Sequence, residues 1–118
     1  MTIAWNNNTP IYRQLRDHVA TMILDGSLKP GDALPSVRQV AVDFQLNPMT
    51  ILKAYQELVD EDLVEKRRGM GMFVKPNADE QLLQSEREQF LSQEWPNICE
   101  RIKRLGISLE TLLKQSYS

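Results

Sequence analysis

The sequence has a single cysteine, Cys99, and a single histidine, His18, among its 118 residues. One cysteine excludes a disulfide within the chain, and this pair argues against a structural metal site. No apolar run approaches the ~20 residues that a membrane-spanning helix requires, and no signal-peptide pattern opens the chain. We therefore expect a cytoplasmic protein with no metal, no cofactor and no membrane partner.

Motifs for catalysis are also missing. The sequence suggests no pair of nucleophile and base, no carboxylate pair and no set of metal ligands. The run GMGM at 69–72 lacks the third glycine of a phosphate-binding loop, and its surroundings predict a hairpin rather than a strand–helix unit. We therefore do not expect an enzyme.

The chain lacks the excess of positive charge that is typical of nucleic-acid-binding domains, because its formal net charge is -2. The charge is unevenly distributed. Residues 1–76 hold nine of the 14 Lys and Arg and nine of the 16 Asp and Glu, so the negative charge belongs to residues 77–118. The neutral part concentrates Lys66, Arg67 and Arg68 in one run, which leaves room for a local basic site.

What the sequence does contain is a pair of helix-start signals separated by one short helix. Ser36 precedes an apolar-periodic run with Gln39 at the capping-box spacing, and Asn47 precedes Pro48, which suits a first helical position. Only two residues remain for the turn between these helices, which is the layout of a helix-turn-helix. The exposed N-terminal face of the second helix is predicted to carry Met49, Thr50 and Lys53.

A further helix is predicted before this pair. Thr9 matches a cap and Pro10 a first helical position, apolar residues recur at helical spacing through residue 23, and Gly26 suits the C-terminal cap. The Pro30-Gly31 step that follows predicts a type II turn.

The stretch from Leu63 to Pro76 predicts a β-hairpin. Two β-favouring segments flank Gly69 and Gly71, which tolerate the positive φ angles of a hairpin loop. Pro76 cannot donate to a strand ladder and so marks the end. A hairpin directly after a helix-turn-helix is a wing, and its tip carries Arg67 and Arg68.

Residues 77–118 show a different pattern, which we interpret as a helical tail after a domain of residues 1–76. Apolar residues follow one another at alternating steps of four and three, as in a heptad seam. Pro96 should kink or break the longest helix, and Ser108 should cap a last short one. Some forty residues form little core alone, so a second copy is the simplest partner. The predicted dimer interface consists of Leu91, Trp95, Ile98, Ile102 and Leu105.

These motifs together carry a resemblance to a known family. The segments "PIYRQL", "LKPGDALPSVRQVA", "NPMTILKAYQEL" and "RRGMGMFV" closely resemble, in order and spacing, the winged helix-turn-helix domain of GntR-type bacterial transcriptional regulators. The tail segment "RIKRLGISLETLL" is similar to the YtrA-like subgroup. The resemblance implies a mainly α fold with a small β-hairpin, a winged helix-turn-helix followed by a short α-helical dimerisation tail. It also implies a homodimeric regulator, expected to be a repressor, that binds double-stranded DNA at a two-half-site operator.

The resemblance also implies roles for individual residues. An arginine at the start of helix two usually contacts DNA in this family, recognition-helix residues meet phosphates or base edges, and the wing reaches the minor groove. Carried over position by position, the DNA-binding residues are Ser36, Arg38, Asn47, Met49, Thr50, Lys53, Arg67, Arg68 and Gly69. Relatives of this type often have Asn, Lys and Thr where this chain has Met49, Met70 and Met72. Met49 therefore either touches a thymine methyl or makes no contact.

Two other functions remain open from the sequence. One is a winged-helix protein-interaction module that does not bind DNA, whose wing would tolerate charge reversal. The other is a small-ligand sensor in which the tail holds an effector, with Trp95 lining the pocket rather than anchoring a dimer seam. The sequence identifies no small-molecule effector.

Overall fold

The computed structural model describes residues 5–116 and divides into two compact units, the first ending at Leu83 and the second beginning at Gln84. The elements of the first unit are α1 (Ile11–Leu24), α2 (Val37–Phe44), α3 (Pro48–Asp60), β1 (Val64–Arg67) and β2 (Gly71–Val74). Helix α4 (Ala78–Gln89) begins in the first unit and continues into the second, where a π-helical turn (Phe90–Glu94), α5 (Trp95–Leu105) and α6 (Leu109–Ser116) follow. The predicted fold class, mainly helical with one hairpin, is confirmed.

The start of α1 differs from its prediction. The helix begins at Ile11 with Pro10 as its cap residue, and no side chain caps it, so the predicted Thr9 cap is wrong. Gln14 explains the difference, because its Nε2 donates to the carbonyl oxygens of Thr9 (2.7 Å) and Asn6 (2.9 Å). The Gln14 side chain thereby holds the segment before α1 in place, and the Thr9 carbonyl accepts one of its hydrogen bonds.

The predicted turn after α1 is confirmed. Gly31 has a φ of +92°, and the Asp32 N–H donates to the Lys29 carbonyl at 2.9 Å, as a type II turn requires. The chain then runs alongside the hairpin, where the Leu34 N–H donates to the Met72 carbonyl at 2.8 Å. This short bridge covers one edge of β2 and ties the segment before α2 to the wing.

Both N-caps of the helix-turn-helix form as predicted, although the Gln39 side chain donates to Asp43 and does not complete the capping box. The Ser36 Oγ accepts from the Gln39 N–H at 3.1 Å, and the Asn47 Oδ1 accepts from the Met49 N–H at 2.9 Å. Gln45, with a φ of 55°, adopts the left-handed conformation that ends α2. Each cap satisfies a backbone donor that the first turn leaves unpaired, so both N-termini are fixed in place.

The hydrophobic core of the first unit extends beyond the hairpin. Ile51 and Leu58 of α3 and Val74 of β2 have no exposed surface, and Ala78 (0% exposed) and Leu82 (3% exposed) of α4 belong to the same core. The first two turns of α4 therefore stabilise the winged unit. The predicted boundary after residue 76 stays a prediction, while the core of the winged unit includes these two later residues.

The second unit is helical and continues through Pro96. The π-helical turn lies immediately before this proline, and the Trp95 N–H donates to the Phe90 carbonyl five residues earlier. Asn97 Nδ2 donates to the Gln93 carbonyl at 3.2 Å, so this carbonyl of the widened turn has a hydrogen-bond partner. The predicted disruption near Pro96 is thus a local widening of the helix. No helix within residues 5–116 is long and apolar enough to cross a membrane.

Candidate nucleic-acid interface

The N-terminal end of α3 presents side chains to solvent, as the predicted recognition helix should. Met49 is 67% exposed and Thr50 is half-buried, while the opposite face, with Ile51, packs into the core. The Asn47 carbonyl oxygen Oδ1 is occupied by the cap, which leaves its NH₂ group as the donor available to an anion. Exposed backbone N–H groups at such a helix end favour negative charge.

Lys53 does not extend freely from α3. Its Nζ lies 4.0 Å from the centroid of the Tyr12 ring on α1, a cation–π contact that draws the ammonium toward that helix. The sequence predicts Lys53 on the exposed face of this helix. Apolar periodicity does not indicate the contact with Tyr12, because it carries no information about a side chain on another helix.

The N-terminus of α2 carries the next two predicted contacts. Ser36 caps the helix through its hydroxyl oxygen, and Arg38 lies exposed in its first turn. Within residues 5–116 no ion pair or hydrogen bond engages the Arg38 side chain. A cation at a helix N-terminus opposes the helix dipole, so this guanidinium gains little from its own helix and is available to an anion.

The wing holds its two arginines differently. Arg67 pairs with Glu65 on the same strand (Nη2 to Oε1, 2.8 Å), and its guanidinium lies 4.2 Å from the centroid of the Phe73 ring. Arg67 and Glu65 lie two residues apart and so share one face of β1, while the contact with Phe73 follows from the register, since Glu65 faces Phe73 across the hairpin. Arg68 follows in the turn and has no ion pair among the described residues. One wing arginine is therefore partly neutralised, and the other is accessible.

The tip of the wing closes as a tight turn. The Met70 N–H donates to the Arg67 carbonyl at 2.9 Å, and Gly69, with a φ of +75°, allows the reversal. Because glycine has no side chain, its backbone can approach a ligand closely.

A cavity of about 320 Å³ lies between the start of α2 and the wing. Its lining includes Ser36 and Val37 from α2 and Lys66, Arg67 and Gly69 from the wing. The structure thus brings predicted contacts from two distant parts of the sequence to one place in the winged unit. Lys66 is a cation that the list of predicted site residues omitted, although it belongs to the basic run.

Tyr55 of α3 stabilises the wall of this cavity. Its hydroxyl donates to the Pro35 carbonyl at 2.7 Å and so holds the extended segment before α2 against α3. Only 2% of Tyr55 is exposed, and this burial raises the pKa of its hydroxyl to about 12. The neutral phenol is therefore the form that fits the folded protein.

We expect Tyr55→Phe to lower the free energy of unfolding by about 1 kcal/mol at pH 7.5, because one hydrogen bond is lost. The difference should shrink as the pH rises from 10 toward 12. In this interval Tyr55 ionises in the unfolded chain but stays protonated in the folded one, which costs the wild type stability. Urea denaturation of both proteins at pH 7.5 and 11 measures the difference. A value that is the same at both pH values would contradict this account.

The predicted dimer residues lie in the second unit and are accessible in the single chain. Leu91 (63%), Ile98 (39%) and Leu105 (64%) are exposed, while Trp95 and Ile102 are half-buried. Among the described residues from 84 to 116, none is buried. This unit thus has no closed core of its own. Within residues 5–116 no group of three or more His, Cys, Asp or Glu side chains is placed to hold a metal ion.

Comparisons with known proteins bear on both units. The sequence profile described as "Bacterial regulatory proteins, gntR family" matches residues 11–74, from the start of α1 to the end of β2. The chain is 39% identical over 113 residues to the HTH-type transcriptional repressor YtrA of Bacillus subtilis (strain 168), covering 90% of this chain and 81% of that protein.

Solved structures are similar as well. A GntR family transcriptional regulator from Listeria monocytogenes has a TM-score of 0.78 and 30% identity, covering 96% of this chain and 97% of that one. The structure of AraR(DBD) in complex with operator ORR3 has a TM-score of 0.55 and 26% identity, covering 63% of this chain and 89% of that one. The first of these similarities spans both units of this chain.

Proposed function

This chain belongs to the GntR family of bacterial regulatory proteins, and we propose that it represses transcription in the cytoplasm by binding, as a homodimer, a DNA operator of two half-sites. The similar YtrA is named as a repressor, and the AraR domain is bound to its operator. The observation that carries the proposal is the common cavity lined by the capped start of α2 and the wing. A DNA duplex can contact the start of α2 and the wing at the same time.

In this proposal α3 enters the major groove with Thr50 and Met49 near the base edges. Arg38, the Ser36 end of α2 and the NH₂ group of Asn47 bind phosphates, which fixes the register of the protein on the duplex. Lys53 reaches a phosphate only if it leaves the Tyr12 ring.

The wing supplies the remaining contacts. Arg68 and the Gly69 backbone reach the flanking minor groove, where phosphates of two strands lie close together. Arg67 joins them only after exchanging the Glu65 carboxylate for a phosphate. The two arginines should therefore contribute unequally.

The test begins with selection of the bound sequences from a pool of random duplexes, followed by titration of the enriched operator. We expect Arg68→Ala to reduce the slope of log affinity against log salt by about 1 per protomer, since one phosphate contact is lost. Arg67→Ala should have a smaller effect, because that charge is already paired. Glu65→Gln should raise affinity by freeing Arg67.

The matched control is Lys114→Ala, which removes a cation from α6 in the second unit and should leave the slope unchanged. If no sequence is enriched, or if all three wing variants bind as the wild type does, the protein-interaction function is favoured instead. An Arg67→Ala effect as large as that of Arg68→Ala would contradict the unequal roles within the wing.

A further inference from the structure

Helix α3 offers few hydrogen-bonding groups to a DNA base. The usual side chains for reading base edges in the major groove are arginine, lysine, asparagine and glutamine. Helix α3 contains no arginine, and the ammonium of Lys53 lies over the Tyr12 ring. The Oδ1 atom of Asn47 is held by the Met49 N–H, and Gln56 Nε2 donates to Asp60 at 2.9 Å. The bidentate pairs that identify guanine and adenine are therefore not available from free side chains of this helix.

The same helix exposes two apolar side chains. Met49 is 67% exposed and Leu52 is 41% exposed, and their spacing of three residues places them side by side on one face. A single exposed apolar residue on a protein surface is common. Here two neighbours occupy the first turns of the recognition helix, where side chains meet base edges. Leu52 is not among the site residues predicted from the sequence.

We propose that Met49 and Leu52 form an apolar reading surface that recognises thymine 5-methyl groups in each operator half-site. This inference rests on the proposed function and specifies which chemical group of the operator is recognised. The thymine methyl is the apolar group that unmodified DNA displays in the major groove. Burying it against a thioether or a leucine side chain removes apolar surface from water on both partners. Thr50, which follows Met49 in the first turn, adds a hydroxyl that accepts or donates and so tolerates several bases.

The experiment replaces each thymine of the selected operator by deoxyuridine, one symmetric pair at a time. Deoxyuridine keeps the base-pairing groups and lacks only the methyl. At the thymines that face Met49 or Leu52 we expect an affinity loss of roughly fourfold per half-site, the effect of exposing about one methyl group again. Full-length protein is titrated at one salt concentration.

The variants Met49→Ala and Leu52→Ala then complete a cycle with the modified DNA. Each should bind the unmodified operator more weakly and should be insensitive to deoxyuridine at one thymine, because the contact is already lost. Both side chains are exposed, so the fold should persist, and thermal unfolding checks this. Val42→Ala on α2 is the matched control, since Val42 is an equally exposed apolar residue (68%) outside α3. It should retain the full deoxyuridine effect.

The outcomes separate the inference from the proposed function. If the wild type binds a selected operator but deoxyuridine has no effect at any thymine, the apolar reading is wrong and the proposed function stands. If the deoxyuridine loss is the same in wild type, Met49→Ala and Leu52→Ala, the methyl acts through DNA shape, which also overturns the inference. If no duplex is bound at all, the proposed function fails and the inference with it.

Discussion

The affinity for the operator should fall by about 10³–10⁵-fold between 50 and 200 mM salt, if roughly 6–10 phosphates are neutralised by the dimer. The cations available for this are Arg38, Lys53, Arg67 and Arg68, each present twice in the proposed dimer. Every phosphate that they neutralise releases condensed counterions, and this release becomes less favourable as the salt concentration rises. Because the whole chain has a net charge of -2, these local groups must supply the attraction.

The structure favours the lower part of this range over the higher. Arg67 is paired with Glu65 and Lys53 lies over the Tyr12 ring, so both must exchange an existing contact for a phosphate. Titration of one labelled operator duplex at four salt concentrations gives the slope. A scrambled duplex is the control. Non-specific binding is almost entirely electrostatic, so its affinity should fall with salt at least as steeply, in proportion, as the affinity for the operator. A specific complex whose affinity barely changed would exclude the proposed phosphate contacts.

The local elements of the interface could be predicted from the sequence because short-range chemistry determines them. Ser36 and Asn47 bond to backbone groups within three residues, and Gly69 lies in a turn closed by its neighbours. Such signals depend on a few adjacent positions. The helix-turn-helix and the wing could therefore be predicted from the sequence alone.

The contacts that engage the charged groups of Lys53 and Arg67 could not be predicted in the same way. The Lys53 contact with Tyr12 joins α3 to α1, and the Arg67 contact with Phe73 depends on strand register. Both require the tertiary arrangement. The contribution of α4 to the core was not predicted either, because Ala78 and Leu82 follow a proline that suggested the end of the domain. The local pattern identifies an amphipathic helix but not the core that it joins.

The winged unit should fold without the tail when the chain is truncated after Leu83. All members of its buried core lie at or before Leu82, so residues 1–83 keep every one of them. Truncation after Asn77 instead removes Ala78 and Leu82 and exposes their neighbours, which should cost several kcal/mol, by analogy with large core truncations at roughly 2–5 kcal/mol each. Urea denaturation of the two fragments compares these stabilities directly.

The same truncation after Leu83 should convert the proposed dimer into a monomer. The seam side chains Leu91, Ile98 and Leu105 are exposed in the single chain, and no described residue from 84 to 116 is buried. Burial of such side chains contributes about 1.5–3 kcal/mol each before the entropy of association is subtracted. The point variant Ile98→Asp places an unpaired carboxylate in the seam and should raise the dimer dissociation constant by roughly 100-fold or more. Glu100→Lys, which changes a charge on an exposed face of α5 away from the seam, is the control and should remain dimeric.

Loss of the dimer should weaken binding to the full operator by about 10²–10⁴-fold, because the second half-site is then no longer held at a high effective concentration. Binding to an isolated half-site should change little, since residues 1–83 retain α3 and the wing. Sedimentation equilibrium on the intact chain, residues 1–83, Ile98→Asp and Glu100→Lys gives the oligomeric state, and titration of full-site and half-site duplexes gives the affinities. If residues 1–83 remain dimeric, or bind the full site as tightly as the intact chain, another surface holds the two copies together and the tail is not the dimerisation element.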